Sequence, residues 1–303
     1  MESEAGSFSP AHITGFFQIL DRPRNPLFKG SRGAGVSLTK GVKTTVRIRK
    51  SPKKNIEIKI NGKLTAAQVS NSVADAFLSI AGANYKVLIE HDVDVPIGCG
   101  LGSSGAGALG LAFALNEALG LGLTKIEVAQ AAHVAEVKCK TGLGTVIAEL
   151  SGGLEIRTKP GAPGIGEVKH IKVDGDYVVI CLPFGPMSTK KALTDPKLRR
   201  LINKHGGRLV EELVAQPSVG RFLELSRSFA EKTMLTSERV RKVLTDADNH
   251  GFASSMAIFG ETVFSVVKQN EAEELTRILR KHAQGKYDII NAEIDFKGAR
   301  ILK

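Results

Sequence analysis

Between Pro96 and Gly107 the chain reads Pro-Ile-Gly-Cys-Gly-Leu-Gly-Ser-Ser-Gly-Ala-Gly and then runs into the apolar stretch from Ala108 to Leu119. Residues without bulky side chains let successive backbone N–H groups turn toward one point, and the start of a following helix adds partial positive charge. Such a loop cradles a phosphate without needing a lysine. Three other motifs share part of the pattern. Gly100-x-Gly102-x-x-Gly105 has the dinucleotide spacing, but that fingerprint needs a strand after its helix with an acidic residue at the strand's end, and here a second helical segment follows. A Walker loop requires Lys and then Ser or Thr directly after its last glycine, and neither Gly105 nor Gly107 is so followed. A nucleophile elbow needs Gly-x-Ser-x-Gly, and Gly102-Ser103-Ser104-Gly105-Ala106 ends on alanine. A serine hydrolase therefore stays open as a competing class, with Ser104 as nucleophile and His250 or His282 as base.

The elements that must position this loop follow from periodicity. Strand patterns are predicted near 6–20, 42–49 and 55–60, a helix over 66–80 and a strand over 86–91. Helices are predicted at 103–119 and 124–140, the second with Thr124 as N-cap and Glu127 at the capping-box position. Strands resume at 153–158, 167–173 and 177–183, and 189–248 reads as mostly helical. Strand-like runs at 255–259 and 262–267, a helix at 271–283 and a strand pair within 286–302 complete the chain. Strands and helices alternate without a regular βαβ rhythm, which predicts an α+β protein with antiparallel or mixed sheets. The 303 residues favour two lobes, and Pro183, Gly185 and Pro186 put a boundary near 184–194.

The net charge of +11 favours acidic partners such as phosphorylated ligands, carboxylates or nucleic acid. Much of it is local: residues 40–63 hold nine Lys or Arg and one acid, Glu57. There Val46, Ile48, Ile56, Ile58 and Ile60 alternate with charged residues around Ser51–Asn55, the pattern of a half-buried hairpin with a solvated basic face. With 5% aromatics and no Trp, platforms for stacking bases are scarce, so no nucleic-acid partner is expected. Three cysteines, Cys99, Cys139 and Cys181, lack metal-ligand or redox spacing and suit a reducing compartment. The first basic residue is Arg22 and no apolar run approaches ~18 residues, so neither a secretory leader nor a membrane span is expected, and a cytoplasmic location is.

Pro96, Gly100, Leu101, Ser103 and Ser104 match in order the phosphate loop Pro-x-x-x-Gly-Leu-x-Ser-Ser of the GHMP kinase superfamily, which this segment resembles. Ser9-Pro10-Ala11-His12-Ile13-Thr14-Gly15 resembles the superfamily's N-terminal motif. Ala253–Gly260 resembles a diverged C-terminal motif lacking its usual glycine cluster. Within the superfamily, the segments His12–Phe17, Lys29–Gly35 and Thr141–Gly144 are similar to those of the archaeal pantoate kinases, and the similarity extends over essentially the whole chain.

The resemblance implies a GHMP fold, with a ribosomal protein S5 domain 2-like ATP-binding lobe at 1–185 and a ferredoxin-like lobe at 186–303. It implies ATP and Mg2+ as cofactors, and transfer of the γ-phosphoryl group to the primary hydroxyl of pantoate on the route to coenzyme A. ATP would lie on Pro96, Gly98, Gly100, Leu101, Gly102, Ser103, Ser104 and Gly105, with Ser104 and Glu136 on the metal. Many members carry an aspartate nine residues after that glutamate as general base. Here the position is Thr145, which cannot accept a proton at neutral pH; homoserine kinases of the superfamily work without such a carboxylate. A bidentate arginine suits the pantoate carboxylate, and Arg157 and Arg32, the latter beside Ser31 in a Gly30–Gly35 turn, are the candidates. His133, one helical turn before Glu136, is expected to point into the site. Residues 195–241 are expected to form solvated helices over the acceptor side, and a homodimer is compatible with the resemblance. Another acceptor (homoserine, mevalonate or shikimate) and a sensor without catalysis remain the alternatives.

Overall fold

The computed structural model describes residues 2–283 and 285–302, the side chains of 190–192 excepted. Its backbone begins with two long antiparallel strands, β1 (Glu2–Leu20) and β2 (Gly30–Lys50), whose pairing shifts at Pro10/Ala11 and at Thr14/Phe16. Both shifts have local causes: proline has no N–H for the ladder, and Gly15 falls out of step where Ser226 and Phe222 press against it. β3 (Asn55–Ile60) and β4 (Lys63–Leu64) follow, then α1 (Gln68–Ala81) and β5 (Tyr85–Val93). Helices α2 (Ser103–Leu119), α3 (Lys125–Cys139) and α4 (Thr145–Ser151) lead to β6 (Leu154–Lys159), β7 (Glu167–His170) and β8 (Tyr177–Pro186). A helical stretch, α5 (Thr189–Thr194), α6 (Pro196–Ala215), α7 (Val219–Lys232) and α8 (Glu238–Asn249), precedes β9 (Ser255–Met256) and β10 (Gly260–Lys268). The chain ends with α9 (Ala272–Arg280), β11 (Ile290–Glu293) and β12 (Arg300–Leu302).

Two sheets result. The first has the order β12-β1-β2-β5-β3-β4, with β6 on the first part of β2 and β7 beyond it; the second has the order β11-β8-β10-β9. The strand ending at Pro186 therefore pairs in the second sheet, while the last strand returns to the first, so the sheets do not part at residue 185. The expected hairpin at 46–60 does not form. β5 inserts between β2 and β3, lying antiparallel to β2 and parallel to β3. Alternation reports which face of a strand is buried, not which strand lies beside it, and α1 provides the crossover that lets β5 take the central place. The Gly30–Gly35 turn is likewise corrected to strand, because its small residues let β1 and β6 pack on either side.

Helix α2 is apolar on nearly all sides and buried, packed between the first sheet and helices α1 and α3. Its C-terminus is closed by Gly120 in the left-handed region. α3 starts as expected, with the Thr124 N–H donating to Glu127 Oε2 (2.8 Å) and the Glu127 N–H to Thr124 Oγ1 (3.3 Å). α6 and α7 cover β1, and α8 and α9 cover the second sheet. An apolar core spans both sheets, from Ile13 and Phe16 through Leu101 to Cys181 and Phe264. The phosphate-type loop is thus held between α2 and the edge of the second sheet.

Candidate active site

Gly98, Gly100 and Gly102 take φ of 78°, 80° and 68°, so every second residue of the loop lies where side chains are strained. The loop is also pressed from outside: a Cβ on Gly100 would come within 2.9 Å of the Gly260 nitrogen. Thr262 Oγ1 donates to the Cys99 carbonyl (2.7 Å), the Met187 N–H to the Gly98 carbonyl (3.0 Å), and the His12 N–H to the Leu101 carbonyl (3.1 Å). These ties set the backbone of the loop at the start of α2, where the loop and the helix end line a cavity of about 400 Å³. All the expected loop residues line that cavity except Pro96, which instead accepts from the Cys99 N–H.

Ser104 stands in the first turn of α2 and donates to Glu136 Oε1 (2.6 Å), and Thr141 Oγ1 donates to the same oxygen (2.7 Å). Glu136 lies in the last turn of α3, only 2% exposed. Burial raises its carboxyl above the ordinary range, and the two hydroxyl donors pull it back down. Gly142 is required beside it, since a Cβ there would collide with Glu136 Oε2. Thr145 opens α4 on the cavity wall and brings no carboxylate. Glu149, one turn further, is fully buried beneath the loop and has no donor in hydrogen-bond geometry on either oxygen. Its desolvation, with the charge of Glu136 nearby, holds its carboxyl well above the usual range, against the weaker opposing pull of the Ala106 N–H and Arg157.

Of the four residues expected at the acceptor, Ser31 and Arg157 line the cavity. Arg157 is 1% exposed, donates from Nη1 to Glu155 Oε1 (2.8 Å) and keeps Nε without a partner. Both Ser31 Oγ and Arg157 Nε crowd the place a Cβ on Gly144 would take. Arg32 does not reach the cavity: it leans on α6, pairing with Glu211 and donating from Nε to the Thr158 carbonyl. Strand alternation explains this, since residues 31 and 32 of β2 face opposite sides. His133 is also absent from the cavity wall; its Nε2 lies 3.2 Å and 3.0 Å from the Pro26 and Lys29 carbonyls, which it pins to α3. Burial lowers its pKa against the pull of those carbonyls.

Two residues that sequence reasoning did not single out join the site. His12 and Glu155 are fully buried, 3.0 Å apart between Nε2 and Oε1, and Glu155 shares that oxygen with Arg157. The spacing of Glu155 and Arg157, two apart on one strand, is the signal that puts them on one face. The hydrolase reading loses its base, because His250 and His282 both pair with Asp246 and the Ser104 partner is a carboxylate. The basic strand face behaves as a solvated surface, with Arg47 between Glu4 and Glu90 and Lys54 on Asp75. Among the described residues no cluster of three or more His, Cys, Asp or Glu forms a protein-only metal cage, and no helix is long and apolar enough to cross a membrane.

A glycine-rich loop feeding a buried helix, a hydroxyl-bonded carboxylate from the next helix and this mixed sheet go with one class: residues 65–153 match the family model of the GHMP kinases N terminal domain. The pantoate kinase of Thermococcus kodakarensis is 38% identical over 278 residues, covering 90% of this chain and 91% of its own. That of Methanocaldococcus jannaschii is 36% identical over 273 residues, covering 90% and 96%. A solved structure described as a phosphotransferase related to the CoA biosynthesis pathway superposes with a TM-score of 0.89 at 35% identity, over 98% of both chains. The chain belongs to the pantoate kinase family of the GHMP kinases.

Proposed function

We propose that the protein phosphorylates pantoate at its primary hydroxyl with ATP, giving 4-phosphopantoate for coenzyme A synthesis. The observation that carries this reading is the convergence on one cavity of a glycine phosphate loop, the Ser104–Glu136–Thr141 cluster and a buried arginine with an unpaired N–H. The loop amides and the α2 terminus take the phosphates. The apolar part of the wall, with Val42, Ile60, Val69 and Val93, accepts a flat base. Arg157 Nε, beside Ser31, takes the pantoate carboxylate.

Mg2+ is assigned to Ser104 and Glu136. The donors fit a small hard cation, since Mg2+ commonly takes one or two carboxylates and completes its shell with water and substrate phosphates. When bound, it supplies charge neutralisation on the phosphates. Phosphoryl transfer asks a protein chiefly to position in-line atoms and offset charge, which is what a rigid loop and fixed side chains do. The threonine at 145 favours a second reading, a metabolite sensor that binds ATP without turnover. An ADP-release assay over a panel of hydroxy acids, with ATP binding measured in parallel, separates them: turnover with pantoate alone supports the kinase, and binding without turnover the sensor.

A further inference from the structure

The proton of the acceptor hydroxyl has no evident destination in this site. Thr145 is no base, and Glu149 packs beneath the loop away from the cavity. Two further buried polar groups stand near the loop: His91, held between Thr44 Oγ1 (2.8 Å) and Ser70 Oγ (3.1 Å) with no carboxylate bonded to its ring, and the group formed by His12, Glu155 and Arg157. The His12 imidazole has no solvent exposure and lies over Gly35, where any Cβ would displace it. Its Nε2 faces Glu155 Oε1 at 3.0 Å, and Glu155 in turn holds Arg157. A ring that donates from Nε2 to this carboxylate keeps a lone pair on Nδ1. The partner of Nδ1 is Thr14 Oγ1 at 3.4 Å. Thr14 is half-buried and, like His12, lines the same cavity as Ser103 and Ser104, so its hydroxyl stands between the cavity and Nδ1 of the unexposed ring.

We propose that Thr14 relays the acceptor proton to His12, with Glu155 as the positioning residue behind it; this rests on the kinase reading above. As the acceptor O–H gives its proton to Thr14 Oγ1, the Thr14 O–H gives its own to His12 Nδ1. The acceptor oxygen's electron pair forms the new bond to the γ-phosphorus while the bond to the ADP oxygen breaks. His12 then loses the proton to water by the same route when product leaves. Burial keeps the resting imidazole neutral, outweighing Glu155, which favours the charged ring, while Arg157 opposes it. Those two face the ring from β6, and Glu149, from α4, reaches the same space beside Gly102 as the His12 backbone. The carboxylate supports the imidazolium only as it forms, which is the arrangement a transient base requires.

The test compares Thr14→Val with Thr14→Ser in the full-length protein. Thr14→Val is expected to lower kcat by at least ~100-fold and to leave the KM for pantoate and for ATP unchanged, and Thr14→Ser to retain most of the activity. The wild-type kcat profile should fall on an acidic limb below the ordinary histidine value of 6.5, and Thr14→Val should lose that limb. Long-range proton–nitrogen spectra of histidine-labelled protein at pH 7.5 should show His12 neutral and protonated on Nε2. Near-wild-type kcat in Thr14→Val, an effect confined to the pantoate KM, or a His12 ring carrying a proton on Nδ1 at rest overturns the relay. Failure of the wild-type protein to turn over any hydroxy acid instead overturns the kinase reading on which it rests.

Discussion

Replacing Arg157 by Met keeps most of the side chain's volume and removes a charge that is 1% exposed. Two separable effects follow. In stability, Glu155 Oε1 loses its 2.8 Å partner and the carboxylate is left buried against a neutral imidazole. Breaking such a pair from one side costs about 3–5 kcal/mol. In function, the unpaired Nε donor near Ser31 is lost, and a hydrogen bond to a charged group contributes about 1.5–3 kcal/mol. At 1.4 kcal/mol per factor of ten, the pantoate KM rises roughly 10- to 150-fold, while the ATP KM, set by the loop, stays as it was. The double variant Arg157→Met/Glu155→Gln tells the effects apart: with no lone buried carboxylate, much of the lost stability returns in urea denaturation, yet the pantoate KM remains high. Steady-state kinetics against each substrate and urea curves for the three proteins complete the assay. An unchanged pantoate KM alongside weakened ATP binding would show that the acceptor and nucleotide ends of the cavity have been exchanged, and a double variant less stable than Arg157→Met would refute the buried-charge argument.

Ser104→Ala and Glu136→Gln should each lower kcat by at least ~100-fold, because each removes charge stabilisation made mainly in the transition state; unchanged circular dichroism is the control, and near-wild-type turnover in Glu136→Gln would take that residue out of the metal site. Glu149 has a raised folded-state pKa, so its contribution to stability is complete below the unfolded value near 4.5 and is lost as pH rises through the folded value. Glu149→Gln should therefore unfold at higher urea than wild type at pH 8, with the gap closing toward pH 4; equal midpoints at pH 8 would mean that the carboxylate is ionised at no cost. Gly102→Ala must hold an alanine at φ 68° with its Cβ 2.8 Å from Glu149 Oε1. The left-handed backbone alone costs about 1–2 kcal/mol, and the crowding adds to it, so both Tm and kcat should fall; a wild-type Tm would show that the loop is not held as tightly as its contacts imply.

Much of this protein is legible because its signals are local. Three alternate glycines and two serines before an apolar helix announce the phosphate loop, since left-handed backbone and helix-end charge are properties of a few consecutive residues. The Thr124–Glu127 capping box is read the same way, and the motifs of the GHMP kinases fall on the loop and the β1 segment that the structure joins through His12 and Leu101. Helix α4 is not legible in the sequence, because seven residues entered from glycine without a capping side chain carry too little pattern.

The chain alone determined that a glycine-rich loop opens an apolar helix, that Thr145 supplies no carboxylate, and that α-helix and mixed sheet surround the loop. Only the tertiary structure decided which side chains meet it. Arg157 rather than Arg32 faces the cavity because β2 is a strand and not a turn. Glu136 rather than Glu149 accepts from Ser104 because α3 brings its carboxylate to the loop's hydroxyl, while α4 brings Glu149 against the glycines at 102 and 105. β5 lies between β2 and β3, and His12 meets Glu155, 143 residues away, over a glycine with no side chain to block the ring. The physical reason is the same in each case: backbone preference and capping act within a turn or two of chain. The partner of a buried charge or strand edge is set by competition among all the groups folding brings within reach.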